Sequence, residues 1–249
     1  MRILLTGAGG FLGEGLIQAL EENHTLRLMD VVPFESRHEV LCGDVCNADD
    51  AARAVEGMDA LVIAHMAPNR PEVYATPEQP CNINITGTAM LYAAAAAAGV
   101  KKAVLVSSTA PVAGHKADGL FLRRDLPPRP ISIYGMTKVC QEEVARAYYE
   151  LHGIQTAVLR PAYITNADTL GDKYGKGKET VNWQFIDRRD IGFAAEAALK
   201  LPDLAFEVFY VLGHPDAANH ADMDATRIRL GWTPKYDFHQ YADDGTPQE

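Results

Sequence analysis

Short β-rich runs alternate with helical stretches along the first two-thirds of this chain. The predicted strands lie near residues 3–5, 25–29, 40–42, 60–64, 103–106 and 156–159. Helical patterns lie near residues 11–22 and 48–56, in the segment that leads into six alanines at 93–98, and near 134–151. Strand–helix alternation is typical of βαβ units, because parallel neighbours need a crossover helix. The sequence therefore predicts an α/β fold with a Rossmann-type doubly wound parallel sheet.

The alternation loses its regularity after Pro161. The length of 249 residues suits one large α/β domain better than two full domains. We expect residues 1–160 to form the ligand-binding core and residues 161–249 to form a small C-terminal cap. This cap would be interleaved with the last core elements, in one compact unit. Residues 172–178, a mixture of Gly and Lys, are expected to form a loop.

Charge and cysteine content exclude several classes of function. The chain has 23 Lys and Arg against 33 Asp and Glu, a net charge of −10, which argues against nucleic acid or an anionic membrane as a partner. No apolar run is long enough to span a bilayer, and glycines follow the N-terminus too early for a signal peptide. The spacing of Cys42, Cys46, Cys81 and Cys140 predicts neither a metal site nor a disulfide framework, so a cytoplasmic location is expected.

A glycine-rich segment, Thr6-Gly7-Ala8-Gly9-Gly10-Phe11-Leu12-Gly13, separates the first predicted strand from the first helix. Its glycines at 7, 10 and 13 permit a tight turn, close approach of the backbone to a pyrophosphate, and close helix–strand packing. The helix N-terminus presents unpaired N–H groups and a positive dipole end to the phosphates. The segment predicts dinucleotide binding by Gly7, Gly10, Phe11, Leu12 and Gly13.

Asp30 ends the second predicted strand, 17 residues after Gly13. A carboxylate at this position accepts hydrogen bonds from an adenosine ribose and repels the additional phosphate of NADP. The predicted cofactor is therefore NAD. The competing interpretation is a structural turn followed by an incidental aspartate.

Tyr134 and Lys138 are four residues apart on a predicted helix, so they share one face. A nearby ammonium favours tyrosinate, which suits a tyrosine that accepts a proton near neutral pH. Ser107, Ser108 and Thr109 follow the fifth predicted strand, and ligands of such sheets bind at the carboxyl ends of the strands. Together these residues predict a catalytic group.

These motifs resemble the extended short-chain dehydrogenase/reductases, also called the NAD-dependent epimerase/dehydratase family. The resemblance covers most of the chain. Besides the residues above, it rests on Gly43-Asp44-Val45, Asn84-Ile85-Thr86-Gly87-Thr88, Leu159-Arg160-Pro161 and Leu230-Gly231-Trp232-Thr233-Pro234.

The resemblance implies a role for each catalytic candidate. Tyr134 would be the general acid/base, and Lys138 would bind the nicotinamide ribose and keep Tyr134 ionisable. Ser108 or Thr109 would hydrogen-bond the reacting oxygen; the family pattern favours Thr109, while the local sequence leaves both open. Asn84 would support the active-site helix and its water path, or serve as a capping or core amide. Further cofactor contacts are implied at Asp44, which resembles the residue that contacts adenine, and at Val45, Ala64 and Pro161.

Two departures from the family pattern bear on the substrate. The chain has Val112-Ala113-Gly114 where the family often has Val-Tyr-Gly, which reshapes the pocket wall. Only 89 residues follow Arg160, whereas family members that act on nucleotide-linked sugars usually have a larger C-terminal portion. The expected substrate is therefore small.

Short members of the family include uronate dehydrogenases, which oxidise a free sugar acid. The segment Trp183–Asp190 loosely resembles their W-F-x-H-D-D segment, and Lys178 lies near the position of their carboxylate-binding arginine. Lysine lacks the planar fork of arginine, and Tyr163 stands where those enzymes keep a small hydroxyl residue. These differences argue against uronate itself and leave a free sugar or polyol as a substrate. Lys178 could also be a solvated loop charge, and Trp183 a core residue. The substrate-binding candidates are Ser108, Thr109, Tyr163, Asn166, Lys178, Asn182 and Trp183.

The sequence thus predicts an oxidoreductase that transfers a hydride between NAD and a small sugar, sugar acid or polyol. One alternative is an epimerase or dehydratase of a sugar or nucleotide sugar that uses tightly bound NAD. A second is a non-catalytic NAD(H)-sensing protein, against which the intact Tyr134/Lys138 pair argues. The resemblance also implies a homodimer formed through the helices near 82–98 and 134–151.

Overall fold

The structure, a computed structural model, describes residues 1–68, 70–175, 177 and 180–241, and consists of a parallel sheet between two layers of helices. The strands described are, in chain order, β1 Arg2–Thr6, β2 Thr25–Asp30, β3 Glu39–Cys42, β4 Ala60–Ile63, β5 Lys102–Val106, β6 Gln155–Arg160, β7 Tyr163–Thr165, β8 Phe185–Asp187 and β9 Phe206–Tyr210. The helices are α1 Phe11–Leu20, α2 Ala48–Val55, α3 Glu78–Pro80, α4 Gly87–Ala98, α5 Ala113–Ala117, α6 Ile133–His152, α7 Arg188–Lys200 and α8 Asp224–Leu230. A π-helical turn, Cys81–Thr86, joins α3 to α4, and 3-10 turns occur at Ala110–Val112 and Pro215–Asn219.

The main sheet has seven parallel strands in the order β3-β2-β1-β4-β5-β6-β9. The chain first adds strands on one side of β1 and then, from β4 onward, on the other side. This reversal between β1 and β4 opens a crevice at the carboxyl ends of the strands, the usual ligand position in doubly wound folds. The predicted fold class is confirmed. β7 and β8 form a separate parallel pair beside this edge.

Alternate residues of the strands supply two hydrophobic cores, one on each face of the sheet. Ile3 and Leu5 of β1 pack with α1, α7 and α8, whereas Leu4 packs with α2, α4 and α6. Burial on both faces is the reason that these strands are continuous apolar runs. Helix α4 ends as expected at Gly99, whose φ of 78° is a left-handed helix cap.

The strand–helix alternation continues further along the chain than the sequence pattern indicated. After Pro161, helix α7 packs against α1, and β9 joins β6 as the last strand of the main sheet. The two helices approach closely because they meet at glycines: a Cβ added to Gly15 would lie 2.6 Å from the Arg188 carbonyl carbon. The region 161–241 therefore supplies core elements as well as the β7–β8 pair.

The segment Leu230–Pro234, part of the family resemblance, is anchored on the first turn of α7. The Trp232 indole donates to the Asp190 carbonyl oxygen at 3.1 Å, and the buried Asp190 carboxylate accepts from the backbone of Lys235 and Tyr236 at 2.8 and 3.0 Å. Burial raises the pKa of Asp190 to about 6. These contacts hold the C-terminal part of the described chain against the sheet.

In the described part of the chain, no helix is both long and apolar enough to cross a membrane. The four cysteines are free thiols. Within the same residues, no group of three or more His, Cys, Asp or Glu side chains is placed to hold a metal ion.

Candidate active site

A cavity of about 430 Å³ opens at the carboxyl edge of the main sheet. Its described lining comes from the segments that follow β1, β4, β5 and β6, from the last residue of β2, from the start of α6 and from the 172–174 loop. The lining residues are Gly7, Gly10, Phe11, Leu12, Asp30, Ala64, His65, Met66, Ala67, Pro68, Ser108, Tyr134, Ala162, Tyr163, Ile164, Asp172, Lys173 and Tyr174. The sheet thus brings residues from widely separated parts of the chain to one space.

The glycine-rich turn forms one end of the cavity. Gly7 has a φ of 69°, and a Cβ there would lie 2.8 Å from the His65 backbone. A Cβ at Gly13 would lie 2.2 Å from the Ala8 carbonyl oxygen, so this position allows no side chain. Gly10 caps α1 with extended backbone, which aims the N-terminus of the helix at the cavity. The turn therefore leaves a backbone-lined cradle of the kind that accommodates a pyrophosphate.

Asp30 lies beside this turn, at the end of β2. Its carboxylate accepts from the Gly9 amide at 3.0 Å and from the Val32 amide at 3.2 Å. These bonds orient the side chain toward the cavity, as a ribose-binding carboxylate requires. The residues present at this end fit a dinucleotide whose adenosine lies near Asp30.

The other predicted cofactor contacts are distributed around this end. Ala64 lines the cavity. Asp44 lies close to Asp30 in the fold, because the amide of the preceding residue, Gly43, donates to the Asp30 carbonyl oxygen. The Asp44 carboxylate accepts from the Cys46 amide at 2.9 Å. Val45 is buried against Gly87, and the Pro161 carbonyl accepts from the Thr109 amide at 2.9 Å. Of these four residues, only Ala64 is among the described lining.

Tyr134 is the second residue of α6, and its partly buried side chain lines the cavity. Ser132 caps this helix by accepting from the Gly135 amide at 3.0 Å, which positions the turn that carries the phenol. Burial raises the pKa of Tyr134 to about 12, and a hydrogen bond with the Ser108 hydroxyl opposes part of that rise. The pKa of Tyr134 is therefore raised, and not lowered as the proximity of Lys138 predicted, because desolvation of the tyrosinate costs more than the hydrogen bond with Ser108 returns.

Lys138 lies one turn further along α6, with its ammonium 5.8 Å from the Tyr134 ring centroid. The ammonium is buried and donates to the Val106 carbonyl oxygen at 3.0 Å. Burial lowers the pKa of Lys138 to about 8, Glu142 acts in the opposite direction, and Lys173 contributes to the lowering. The predicted shared face of Tyr134 and Lys138 is present.

The three hydroxyl residues after β5 lie in different surroundings. Ser107 donates to Glu142 at 2.6 Å, and Glu142 also forms a buried two-point ion pair with Arg160, at 3.0 and 2.6 Å. Ser108 lines the cavity and contacts the Tyr134 phenol. Thr109 is buried and is not among the described lining residues. Of the two candidate hydroxyls, Ser108 is therefore the one that lines the cavity with Tyr134, whereas the family pattern favoured Thr109.

Asn84 is fully buried in the π-helical turn, and both polar atoms of its side chain form hydrogen bonds. Its side-chain oxygen accepts from the Ala67 amide at 2.7 Å, and its side-chain nitrogen donates to the Thr137 hydroxyl at 2.9 Å. Thr137 in turn donates to the Tyr134 carbonyl oxygen at 2.8 Å. Asn84 thus joins the segment after β4 to the first turns of α6.

The predicted substrate residues do not all reach the cavity. Tyr163 lines it and donates to the Asp172 carboxylate at 2.8 Å. Asn166 caps a local turn by accepting from Asp168, Asn182 accepts from Gln184, and Trp183 stacks on His220 at 4.6 Å. None of these three is among the described lining residues. Lys178 lies outside the described residues.

Sequence reasoning missed several of the residues that line the cavity. His65, Met66, Ala67 and Pro68 follow β4 directly, so the carboxyl-end rule that found Ala64 could have extended to them. Asp172, Lys173 and Tyr174 come from a loop without periodicity, and only the tertiary structure brings them to Tyr134.

Comparison with known proteins agrees with this geometry. The model of the NAD-dependent epimerase/dehydratase family matches residues 3–168. The chain belongs to this family. The match spans the glycine-rich turn, Asp30, Ser108, Tyr134 and Lys138, and so confirms the resemblance stated from the sequence.

Several relatives of this chain act on sugars. The chain is 31% identical to a uronate dehydrogenase of Pseudomonas syringae pv. tomato, over 84% of this chain and 73% of the relative. It is 26% identical to an NAD-dependent glucose-6-phosphate dehydrogenase of Haloferax volcanii, over 98% and 97%. A solved structure of Agrobacterium tumefaciens uronate dehydrogenase, a tyrosine-to-alanine mutant complexed with NAD, is 25% identical with a TM-score of 0.79, covering 100% of this chain and 91% of that one.

The contact between Ser108 and Tyr134 generates a prediction that needs no substrate. We expect Ser108→Ala to raise the pKa of the Tyr134 phenol, because the mutation removes a hydrogen bond that stabilises tyrosinate. Thr109→Val, which keeps the shape of Thr109 and removes its hydroxyl, should leave that pKa unchanged. The measurement is a ¹³C NMR titration of tyrosine Cζ, with the Tyr134 signal assigned by Tyr134→Phe. A larger effect of Thr109→Val would reverse our assignment of the two hydroxyls.

Proposed function

We propose that this protein is an NAD-dependent dehydrogenase of a small sugar, sugar acid or polyol. The observation that carries the proposal is the cavity in which the Tyr134 phenol and the Ser108 hydroxyl face the same space as the glycine-rich turn. A substrate hydroxyl at Tyr134 is thus next to the place where a dinucleotide fits. The sugar dehydrogenases among the relatives support the substrate class.

The cofactor end would be held by the backbone at Gly7 and Gly10, the side chains of Phe11 and Leu12, and the Asp30 carboxylate. Gly13 would act indirectly, by allowing α1 to start close to β1. Bound NAD supplies a positively charged nicotinamide ring that accepts the hydride. The protein supplies binding, orientation and proton transfer.

In the oxidation direction, Tyr134 takes the proton of the substrate hydroxyl at its phenolate oxygen. Ser108 donates a hydrogen bond to this phenolate oxygen and so helps to hold it in position for the proton transfer. Lys138 places a cation 5.8 Å from the phenol ring, which favours tyrosinate as long as its ammonium is protonated. In the reverse direction Tyr134 returns the proton to the carbonyl oxygen.

The substrate end combines aromatic and charged groups. Tyr163 and Tyr174 supply apolar surface, and Asp172 and Lys173 supply one negative and one positive group. Carboxylates and aromatic rings together suit a polyhydroxylated ring, because hydroxyls need hydrogen-bond partners and the C–H face needs apolar surface. This composition favours a free sugar-like molecule.

A net dehydrogenase and an epimerase or dehydratase differ in one measurable quantity. We expect one NADH per substrate oxidised in a screen of free sugars, sugar acids and nucleotide sugars, followed by absorbance. Tyr134→Phe should lower kcat by about 10² to 10⁴-fold, because it removes the general base. The wild-type kcat should rise as pH increases above neutrality, because the base must be deprotonated. Substrate conversion without net NADH would instead identify the epimerase or dehydratase.

Asp30 generates a prediction about cofactor selection. Asp30→Ala should weaken NAD binding and reduce discrimination against NADP, because the carboxylate that accepts from ribose hydroxyls and repels the 2′-phosphate is lost. Dissociation constants of both cofactors, measured by fluorescence titration, test this. Asp49→Ala, which removes an exposed carboxylate of α2, is the matched control. An unchanged ratio of the two constants would contradict the assignment to NAD.

We extend the proposal to a homodimer in a reducing, cytoplasmic setting. Helices α4 and α6 pack side by side, and Ala93, Ala97 and Ala147 leave small exposed side chains on them. Small side chains permit close approach of a second copy. The mass in solution, measured by light scattering, should equal two chains; a mass of one chain would contradict the dimer.

A further inference from the structure

Tyr74 contacts the catalytic phenol from a segment that no sequence motif singled out. It lies between β4 and α3, and its ring meets the Tyr134 ring edge-on, with centroids 5.8 Å apart and an interplanar angle of 81°. This is a favoured arrangement for two aromatic rings, because the positive edge of one faces the negative face of the other. Tyr74 is half-buried and is not among the described lining of the cavity, so it would act through Tyr134.

The Tyr74 hydroxyl is tied to the same framework that supports the catalytic helix. It donates to the Ala67 carbonyl oxygen at 3.3 Å and accepts from the Asn84 side-chain nitrogen at 3.5 Å. The same Asn84 nitrogen donates to Thr137, whose hydroxyl donates to the Tyr134 carbonyl oxygen. Tyr74 therefore reaches Tyr134 twice, once through the ring and once through Asn84 and Thr137.

The two connections differ in strength. Both hydrogen bonds of the Tyr74 hydroxyl are longer than typical bonds of a hydroxyl group. The ring contact is at ordinary distance and covers one side of a phenol that must hold its orientation during proton transfer. We expect the ring of Tyr74 to matter more than its hydroxyl.

We propose that Tyr74 is a positioning residue that holds the Tyr134 phenol in its reactive orientation and shields it from water. The inference rests on the proposed function, in which Tyr134 transfers the proton. Among the residues that the structure describes, Lys138 on the same helix and Ser108 after β5 also act on the Tyr134 phenol, and Lys173 acts on Lys138 from the 172–174 loop. Tyr74 raises the pKa of Tyr134 in addition to the effect of burial.

The test compares variants of Tyr74 with a matched aromatic contact elsewhere on α6. Tyr148 stacks on Tyr92 with centroids 5.6 Å apart, fourteen residues after Tyr134, so Tyr148→Ala removes a similar contact far from the cavity. Tyr74→Ala should lower kcat at least about tenfold, with the KM for NAD unchanged, because the reactive orientation is lost while the cofactor end is intact. Tyr74→Phe, which keeps the ring, should retain kcat within about threefold. Tyr148→Ala should have the kcat of the wild type.

A second readout separates positioning from general stability and does not need turnover. In ¹³C NMR titrations of tyrosine Cζ in the NAD-saturated protein, Tyr74→Ala should lower the pKa of Tyr134, because water reaches the phenol and desolvation decreases. Tyr148→Ala should leave that pKa unchanged. If Tyr74→Ala does not fold, Tyr74→Leu is used with the same expectations.

The outcomes distinguish this inference from the proposed function. Equal kcat and equal Tyr134 titration in Tyr74→Ala and Tyr148→Ala would overturn the positioning role of Tyr74. If the wild type oxidises none of the tested sugars, the proposed function fails, and the titration alone still decides whether Tyr74 shields Tyr134. A loss in Tyr74→Phe as large as in Tyr74→Ala would also overturn the proposal as stated, since the hydroxyl rather than the ring would then be responsible.

Discussion

The reversal of strand order between β1 and β4 creates the space in which every residue of the site meets. Because the chain builds the sheet outward from β1 in both directions, the segments after these two strands diverge and leave a crevice between them. The glycine-rich turn and the His65–Pro68 segment both line this crevice and come into contact, since a Cβ at Gly7 would lie 2.8 Å from the His65 backbone. Close backbone approach at this point is the reason that residue 7 must be a glycine.

Behind the cavity, a buried group of charged and polar side chains lies apart from the Tyr134 phenol. The Glu142 carboxylate accepts from Ser107 and from two nitrogens of Arg160, all buried. Removing either charged partner would leave an uncompensated buried charge, which is more costly than the pair itself. This pairing leaves Ser108 as the hydroxyl directed to Tyr134. It also places a carboxylate one helical turn from Lys138, where it opposes the loss of the ammonium charge.

Much of the cofactor end was predictable from the sequence, because its determinants are local. The tight turn at Gly7, the helix start at Gly10 and the strand end at Asp30 each follow from neighbouring residues. The pair Tyr134 and Lys138 was also predictable, since helical periodicity alone places them on one face. The proposed substrate end was harder to predict from the sequence. Tyr163 lines the cavity, whereas Asn166 and Trp183 form local contacts. Asp172, Lys173 and Tyr174 line the cavity from a loop that has no periodic pattern.

Residue spacing and hydrophobic patterns predicted the fold class and the shared helix face of Tyr134 and Lys138, and the order of the motifs resembled the family that the comparison confirmed. Each of these depends on features that one strand, turn or helix carries. Three properties of the site emerged from the folded chain instead: Ser108 rather than Thr109 faces Tyr134, Tyr74 packs against the Tyr134 ring, and burial raises the pKa of that phenol. These properties depend on contacts between segments far apart in the chain, and on the removal of water that those contacts cause. Desolvation is a property of the assembled cavity, so no residue spacing could have indicated its size.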